Sequence, residues 1–307
     1  MENKTTNIAA KAKTTRLHSI KKNVFGWILF APFALLLYFF ILRPQVIGII
    51  YSLFDLVGFT PTSFVGFDNY VNVFTNSDFL KILTNTLKYV FWSLLIGYPL
   101  PVIMAIMLNE IVRGQSFFRV SVYIPTIVPT IAASLIWFFM YYPDQAGLLN
   151  AFLSLFGVEP FTWLQNENYT ILLIVISCTW KGAGGTTILF LASLTSINQE
   201  LYEAAIVDGA GFLARVKNIT LPQISSMLVL GFVQQVISVF QIIEQPMTMT
   251  GGGPDGASMS MAYWAYKEGF EGFRIGNSLA ISTITFTILI LMTLFYFKLN
   301  KKLEENV

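Results

Sequence analysis

Two groups of polar side chains interrupt long apolar stretches of this chain. One is Cys178-Thr179-Trp180-Lys181-Gly182, near the middle of the run Thr170 to Leu194; the other is Gln234, Gln235, Ser238 and Gln241, within Ile224 to Ile243. An indole offers an apolar face, and amides or hydroxyls can exchange hydrogen bonds with a polar ligand. Each such hydrogen bond nets about 0.5 to 1.5 kcal/mol. Contacts of this kind bind weakly and reversibly. On a helix, Gln234, Ser238 and Gln241 share a face at i, i+4 and i+7, a stripe that is expensive in lipid unless it meets a cavity or another helix. Lys181 at a span centre costs about 2.5 to 3.5 kcal/mol on insertion scales, so it needs water, a partner or a ligand. Hydrogen bonding between helices with no ligand is an equally good account of the glutamines.

Catalytic chemistry finds little support. Cys178 is the only cysteine and His18 the only histidine, which excludes an intramolecular disulfide and argues against a Cys/His metal site or a cysteine nucleophile with a histidine base. No GxxxxGK[ST] loop is present, and Gly251-Gly252-Gly253-Pro254 lacks the following lysine, so ATP is not bound in the phosphate-loop manner. No cofactor or metal is expected. A formal charge of +2, with basic residues at segment ends, gives no reason to expect nucleic acid as a partner.

The elements that must position these groups are set by composition. Of 307 residues, 55% are hydrophobic and 12% charged, about half the charged share usual in soluble domains. The chain is read as one polytopic membrane domain, residues 24–298, between a basic N-terminal tail, 1–23, and a C-terminal tail, 299–307. Leu17 to Asn23 lies along the membrane surface or forms part of a disordered tail. Six spans are expected near 24–50, 86–109, 119–141, 169–195, 223–245 and 277–298. The first is interrupted by Arg43-Pro44. Pro99, Pro101, Pro125 and Pro129 imply kinks whose freed carbonyls face protein or water. Polar outer loops cover 55–81 and 142–168. With the N-terminus inside, thirteen of the nineteen Lys and Arg fall on inner segments, which makes both termini and the loop 200–222 cytoplasmic.

That loop has its own physics. Tyr202 to Asp208 is made of helix formers with paired alanines that let another backbone approach. Gly209 allows the positive φ of a helix end. Phe212, Val216 and Ile219 then make one apolar face of a second short helix, and Pro222 suits the first turn of the following span.

The spacing Glu203-Ala204-Ala205, three residues, Gly209, nine residues, Ile219, one residue, Leu221-Pro222 resembles the EAA loop of binding-protein-dependent ABC importer permeases. Met249-Thr250-Gly251-Gly252-Gly253-Pro254 resembles an outer loop of the first permease subunit of the maltose and glycerol-phosphate types. Further matches follow in order: Phe64-Val65-Gly66-Phe67-Asp68-Asn69-Tyr70, Asn85-Thr86, Arg113 to Arg119, Pro143-Asp144 with Gly147 to Asn150, and Trp180-Lys181-Gly182. The resemblance implies an all-α type I ABC importer transmembrane domain with six transmembrane helices, in a bacterial or archaeal cytoplasmic membrane. Its partners would be a second, related permease, two ATP-binding subunits and an extracytoplasmic sugar-binding protein, with a carbohydrate as cargo. It implies ATPase coupling through Glu203, Ala204, Ala205, Asp208, Gly209, Leu221 and Pro222. Matching by distance from Glu203 places sugar contacts near Cys178, Lys181, Gly182, Gln235 and Ser238, with Trp180, Gln234 and Gln241 beside them. A stand-alone secondary carrier is the alternative, though such carriers usually need buried ionisable groups and Lys181 is the only clear mid-span charge.

Overall fold

A computed structural model describes residue 24 and residues 26–111 and 113–304, with side chains up to Lys298. The basic tail and the expectation for Leu17 to Asn23 lie outside these residues. Four helices are long and apolar enough to cross a membrane: α1 (Gly26–Tyr51), then Phe79–Glu110, Thr170–Leu194 and Ile275–Lys298. Two bent pairs raise the number to six if each is counted as one span.

Between the first two long helices, the segment expected to be a polar loop is ordered. It forms an antiparallel hairpin, β1 (Phe54–Val57) and β2 (Thr60–Phe64), and a short helix α2 (Asp68–Thr75). Asn69 anchors both: its amide donates to the carbonyls of Ser52 and Phe54, at 2.9 Å each. Helix α3 (Phe79–Glu110) starts earlier than the expected 86. The extra turns are held because Phe79 and Ile82 are buried against Val73, Met261, Trp264 and Ile281 in an outer core.

Two of the prolines expected to interrupt or kink the spans, Pro44 and Pro99, leave their helices unbroken. Pro44, Pro99 and Pro222 each follow a π-helical turn, Tyr38–Leu42, Ser93–Gly97 and Val216–Thr220. In each, the residue before the proline reaches back five positions: Arg43 N–H donates to the Tyr38 carbonyl, Tyr98 to Ser93 and Leu221 to Val216. A wide turn shifts the hydrogen-bond ladder by one residue, so the missing proline N–H falls where the ladder is already offset. Helix α1 therefore runs through Arg43-Pro44 without a break.

Sharp bends occur elsewhere. The third apolar segment is two helices, α4 (Gln115–Ile127) and α5 (Thr130–Met140), at 93°. Val128, with ψ 129°, is held extended by the following Pro129, because the proline ring disfavours a helical residue before it. After α6 (Leu148–Ser154) comes α7 (Thr170–Leu194), the most enclosed long helix, half of whose apolar window is buried. Helix α3 runs along it, and its partner α4 comes so close that a Cβ on Gly184 would meet the Val122 carbonyl.

The inner loop folds as α8 (Gln199–Val207) and α9 (Phe212–Gln223), and α10 (Ser225–Phe240) leaves α9 at 74°. Pro222 thus ends the loop helix and does not begin the span. The expected fifth span, 223–245, also stops short, at Phe240. Pro246 has no N–H to give the Ile242 carbonyl, and the Ser260 hydroxyl donates to it instead at 2.6 Å. The short helices α11 (Glu244–Thr250) and α12 (Met261–Tyr266) follow, then α13 (Ile275–Glu304), which continues beyond the expected span end at 298.

Candidate functional site

Helices α3, α7 and α10 and the break after α10 line a half-open cavity of about 710 Å³. Helix α7 contributes Cys178, Thr179, Gly182 and Thr186; α3 contributes Tyr89, Ser93 and Gly97. Helix α10 and its end bring Gln235, Ser238, Gln241, Glu244 and Gln245. Hydroxyl and amide groups thus face a half-open space with an aromatic ring at hand, the chemistry needed to hold and release a polyhydroxyl compound.

The sequence-predicted residues divide. Cys178, Gly182, Gln235, Ser238 and Gln241 line the cavity; Trp180, Lys181 and Gln234 do not. Helical rotation of 100° per residue explains the split. Positions 175, 178, 179, 182 and 186 of α7 turn one way, while Trp180 and Lys181 turn another. Trp180 meets Trp137 edge-on, with ring centroids 5.9 Å apart. On α10 the lining face centres on Gln235, flanked by Ser238 and Val239, and Gln234 lies further round and exposed. Gln241 reaches the cavity although its expected helical register with Gln234 and Ser238 is lost, because the helix ends at Phe240.

Gln235 serves two ends at once. Its side-chain N–H donates to the Ser93 hydroxyl, tying α10 to α3, while the residue also lines the cavity. Ser238 donates to the Gln235 carbonyl at 2.9 Å. The glycines of α7 divide similarly. Gly182 faces open space, and Gly184 permits the close approach of α4, where Thr126 bridges the Lys181 carbonyl and the Gly185 N–H at 3.1 Å each.

Sequence reasoning missed Ser93, Gly97 and Pro101, although their i, i+4, i+8 spacing is a legible small-residue face. It also missed Glu244, because residues 241–245 were assigned to a continuous span.

The inner loop is laid out as an exposed platform. Asn198 caps α8, accepting from the Glu200 N–H at 3.1 Å. Gly209, with φ +81°, makes the reversal that an L side chain resists. Glu203, Ala204 and Ala205 lie within α8, and Asp208 caps it. Leu201, Ile206, Val207, Phe212 and Leu213 are exposed, Val207 by 87%. Arg215 ties the platform to the body by pairing with Glu110 of α3 at 3.6 Å, and the Tyr202 and Thr220 hydroxyls, 3.0 Å apart, join α8 to α9 within it. Leu221 packs half-buried in the inner core formed by α3 and α7, which seats the end of α9.

On the outer side, one face of α3 grips residues 251–261. The Lys81 ammonium donates to the Asp255 carbonyl and pairs with its carboxylate at 2.9 Å. Asn85 donates to the carbonyls of Gly256, at 2.8 Å, and Met259, at 3.3 Å. The Tyr89 hydroxyl donates to Ser258 O at 3.0 Å, and Thr86 accepts from the Met261 N–H at 3.0 Å.

This architecture has clear relatives. The chain is 34% identical over 278 residues to the trehalose/maltose transport system permease protein of Thermococcus litoralis, covering 90% of this chain and 93% of that one. It is 29% identical over 294 residues to the arabinooligosaccharides transport system permease protein of Bacillus subtilis, covering 95% and 93%. Its fold is similar to that of a bacterial ABC transporter involved in import of the acidic polysaccharide alginate, with a TM-score of 0.80, 25% identity, and coverage of 93% of this chain and 98% of that one. Residues 97–305 match the family described as the binding-protein-dependent transport system inner membrane component. Two thirds of the sequence lies within that match, and the chain belongs to this family of integral inner-membrane transport permeases.

Proposed function

We propose that this chain is one of two permease subunits of an ABC importer for a sugar or oligosaccharide. In this reading an extracytoplasmic binding protein delivers the cargo, two ATP-binding subunits drive the cycle, and both termini and the platform 199–223 face the cytoplasm. The observation that carries it is a hydroxyl- and amide-lined cavity on α3, α7 and α10, with an exposed apolar platform, α8 and α9, inserted between α7 and α10 and paired to α3 through Arg215 and Glu110. Glu203 and Asp208 would meet the ATP-binding subunit, Ala204 and Ala205 would allow close packing, and Gly209, Leu221 and Pro222 would transmit its movement through α9 to α10 and α3. Closure of the ATP-binding subunits then rocks the spans between inward-facing and outward-facing states, with sugar held briefly at Gln235, Ser238 and Gln241.

The test is reconstitution in vesicles with a second permease, the ATP-binding subunits and the binding protein. Sugar-loaded binding protein should raise ATP hydrolysis and drive uptake. Accumulation of solute by this chain alone, without nucleotide, would overturn the reading in favour of a secondary carrier. Changing Gln235 and Ser238 together to alanine should lower uptake more than assembly; equal loss of both would assign the pair to helix packing.

A further inference from the structure

The relatives' printed cargoes include both neutral and acidic glycans, so likeness leaves the charge of this cargo open. The cavity does not. Glu244 is the one charged side chain among its lining residues, and Lys181, the mid-helix cation of α7, is absent from that lining. The Glu244 carboxylate has no ion-pair partner among the described residues, whose bridges join Lys81 to Asp255, Arg215 to Glu110 and Arg274 to Glu268. Its neighbours in the wall, Gln241 and Gln245, are neutral amides. Glu244 carries the one formal charge that the wall of this half-open cavity itself presents, and its field reaches about 8 Å, the screening length at physiological salt.

We propose that Glu244 makes this cavity a charge filter, so that the cargo is an uncharged polyhydroxyl compound and uronic or phosphorylated glycans are rejected at the permease. The proposal rests on the importer reading for the identity of the cargo, and its electrostatic part stands apart from it. A carboxylate also accepts hydrogen bonds from sugar alcohols, which a neutral glycan can donate and an anion repels. Discrimination here therefore combines attraction for hydroxyls with like-charge exclusion.

Cys178, the single cysteine of the chain, lines the same cavity and reports its potential. Modification rates are measured on the assembled importer with cationic and anionic methanethiosulfonate reagents of similar size. Glu244→Gln should lower the cation-to-anion rate ratio by about twofold, the factor expected for one unit charge roughly 8 Å away in a water-like medium with physiological salt screening. Glu244→Lys should invert the preference. If Cys178 reacts too slowly, the exposed lining position serves in its place, as Ser238→Cys on a Cys178→Ser background. An unchanged ratio at both positions overturns the filter. A second measurement compares uptake of a neutral oligosaccharide with its terminal uronate through the same binding protein, taking the ratio of variant to parent so that the binding protein's own preference cancels. A rise in relative uronate uptake supports the cargo class; charge-selective labelling with no ATP-dependent uptake would sink the importer reading and leave the filter standing.

Discussion

The inner platform and the outer loop are built from similar material, short helices and glycine turns, yet they are held in opposite ways. Residues 251–261 are bonded through their main chain to Lys81, Asn85, Thr86 and Tyr89, and Ser258, Ser260 and Met261 are fully buried. Residues 199–215 present Val207 and Leu213, exposed by 87% and 78%, and pair with α3 through Arg215 at their far end. One loop has its partners within the chain, and the other leaves its apolar side chains uncovered. A surface that must be gripped by another protein needs free side chains on a firm hinge, whereas a loop that packs on its own helix through its main chain is fixed in place.

The contrast can be broken most severely at the platform. Glu203→Lys or Gly209→Asp should leave insertion and assembly normal but lower hydrolysis stimulated by loaded binding protein at least tenfold, read on reconstituted importer; full transport by either would count against a coupling role. Next is Asn85→Ala, which strips the partner from two outer-loop carbonyls. A loss of about 2 to 3 kcal/mol in stability is expected, from leaving buried acceptors unsatisfied, measured as a lower melting temperature in detergent with coupling retained. Tyr89→Phe removes one buried bond and should cost about 1 kcal/mol by the same assay. Lys81→Met, at the exposed end of the same face, should leave the melting temperature unchanged within error; a fall as large as that of Asn85→Ala would show that the exposed ion pair, and not the buried amide, holds the loop.

Much of this was legible in the sequence where a single element decides the outcome. The run 170–194 reads as one helix because nothing in it breaks the ladder, and the platform's two helices around Gly209 follow from residue types and one turn. What failed to show was the treatment of prolines. Pro44 and Pro99 look like breaks, but a widened turn upstream absorbs each, and such a turn has no residue signature. Pro129 does follow a helix end, and Pro246, in the first turn of α11, leaves the Ile242 carbonyl to Ser260, a donor distant in sequence. Site residues failed for a related reason. Adjacent positions such as Gln234 and Gln235, or Lys181 and Gly182, differ by 100° of rotation, and which of them meets the cavity depends on neighbouring helices that composition cannot orient.

The grip of α3 on the segment containing Gly251-Gly252-Gly253-Pro254 also bears on how the molecule can be handled. Three glycines in a row suggest an ideal place to insert an epitope or a fluorescent reporter, yet most of the surrounding carbonyls are already taken and Ser258 donates inward to Gly253 at 2.7 Å. The exposed tip of the hairpin, between Val57 and Thr60, meets nothing around Gly58 and is the outer site that should accept foreign sequence, while an insertion after Gly253 would break the main-chain bonds that seat the outer loop on α3.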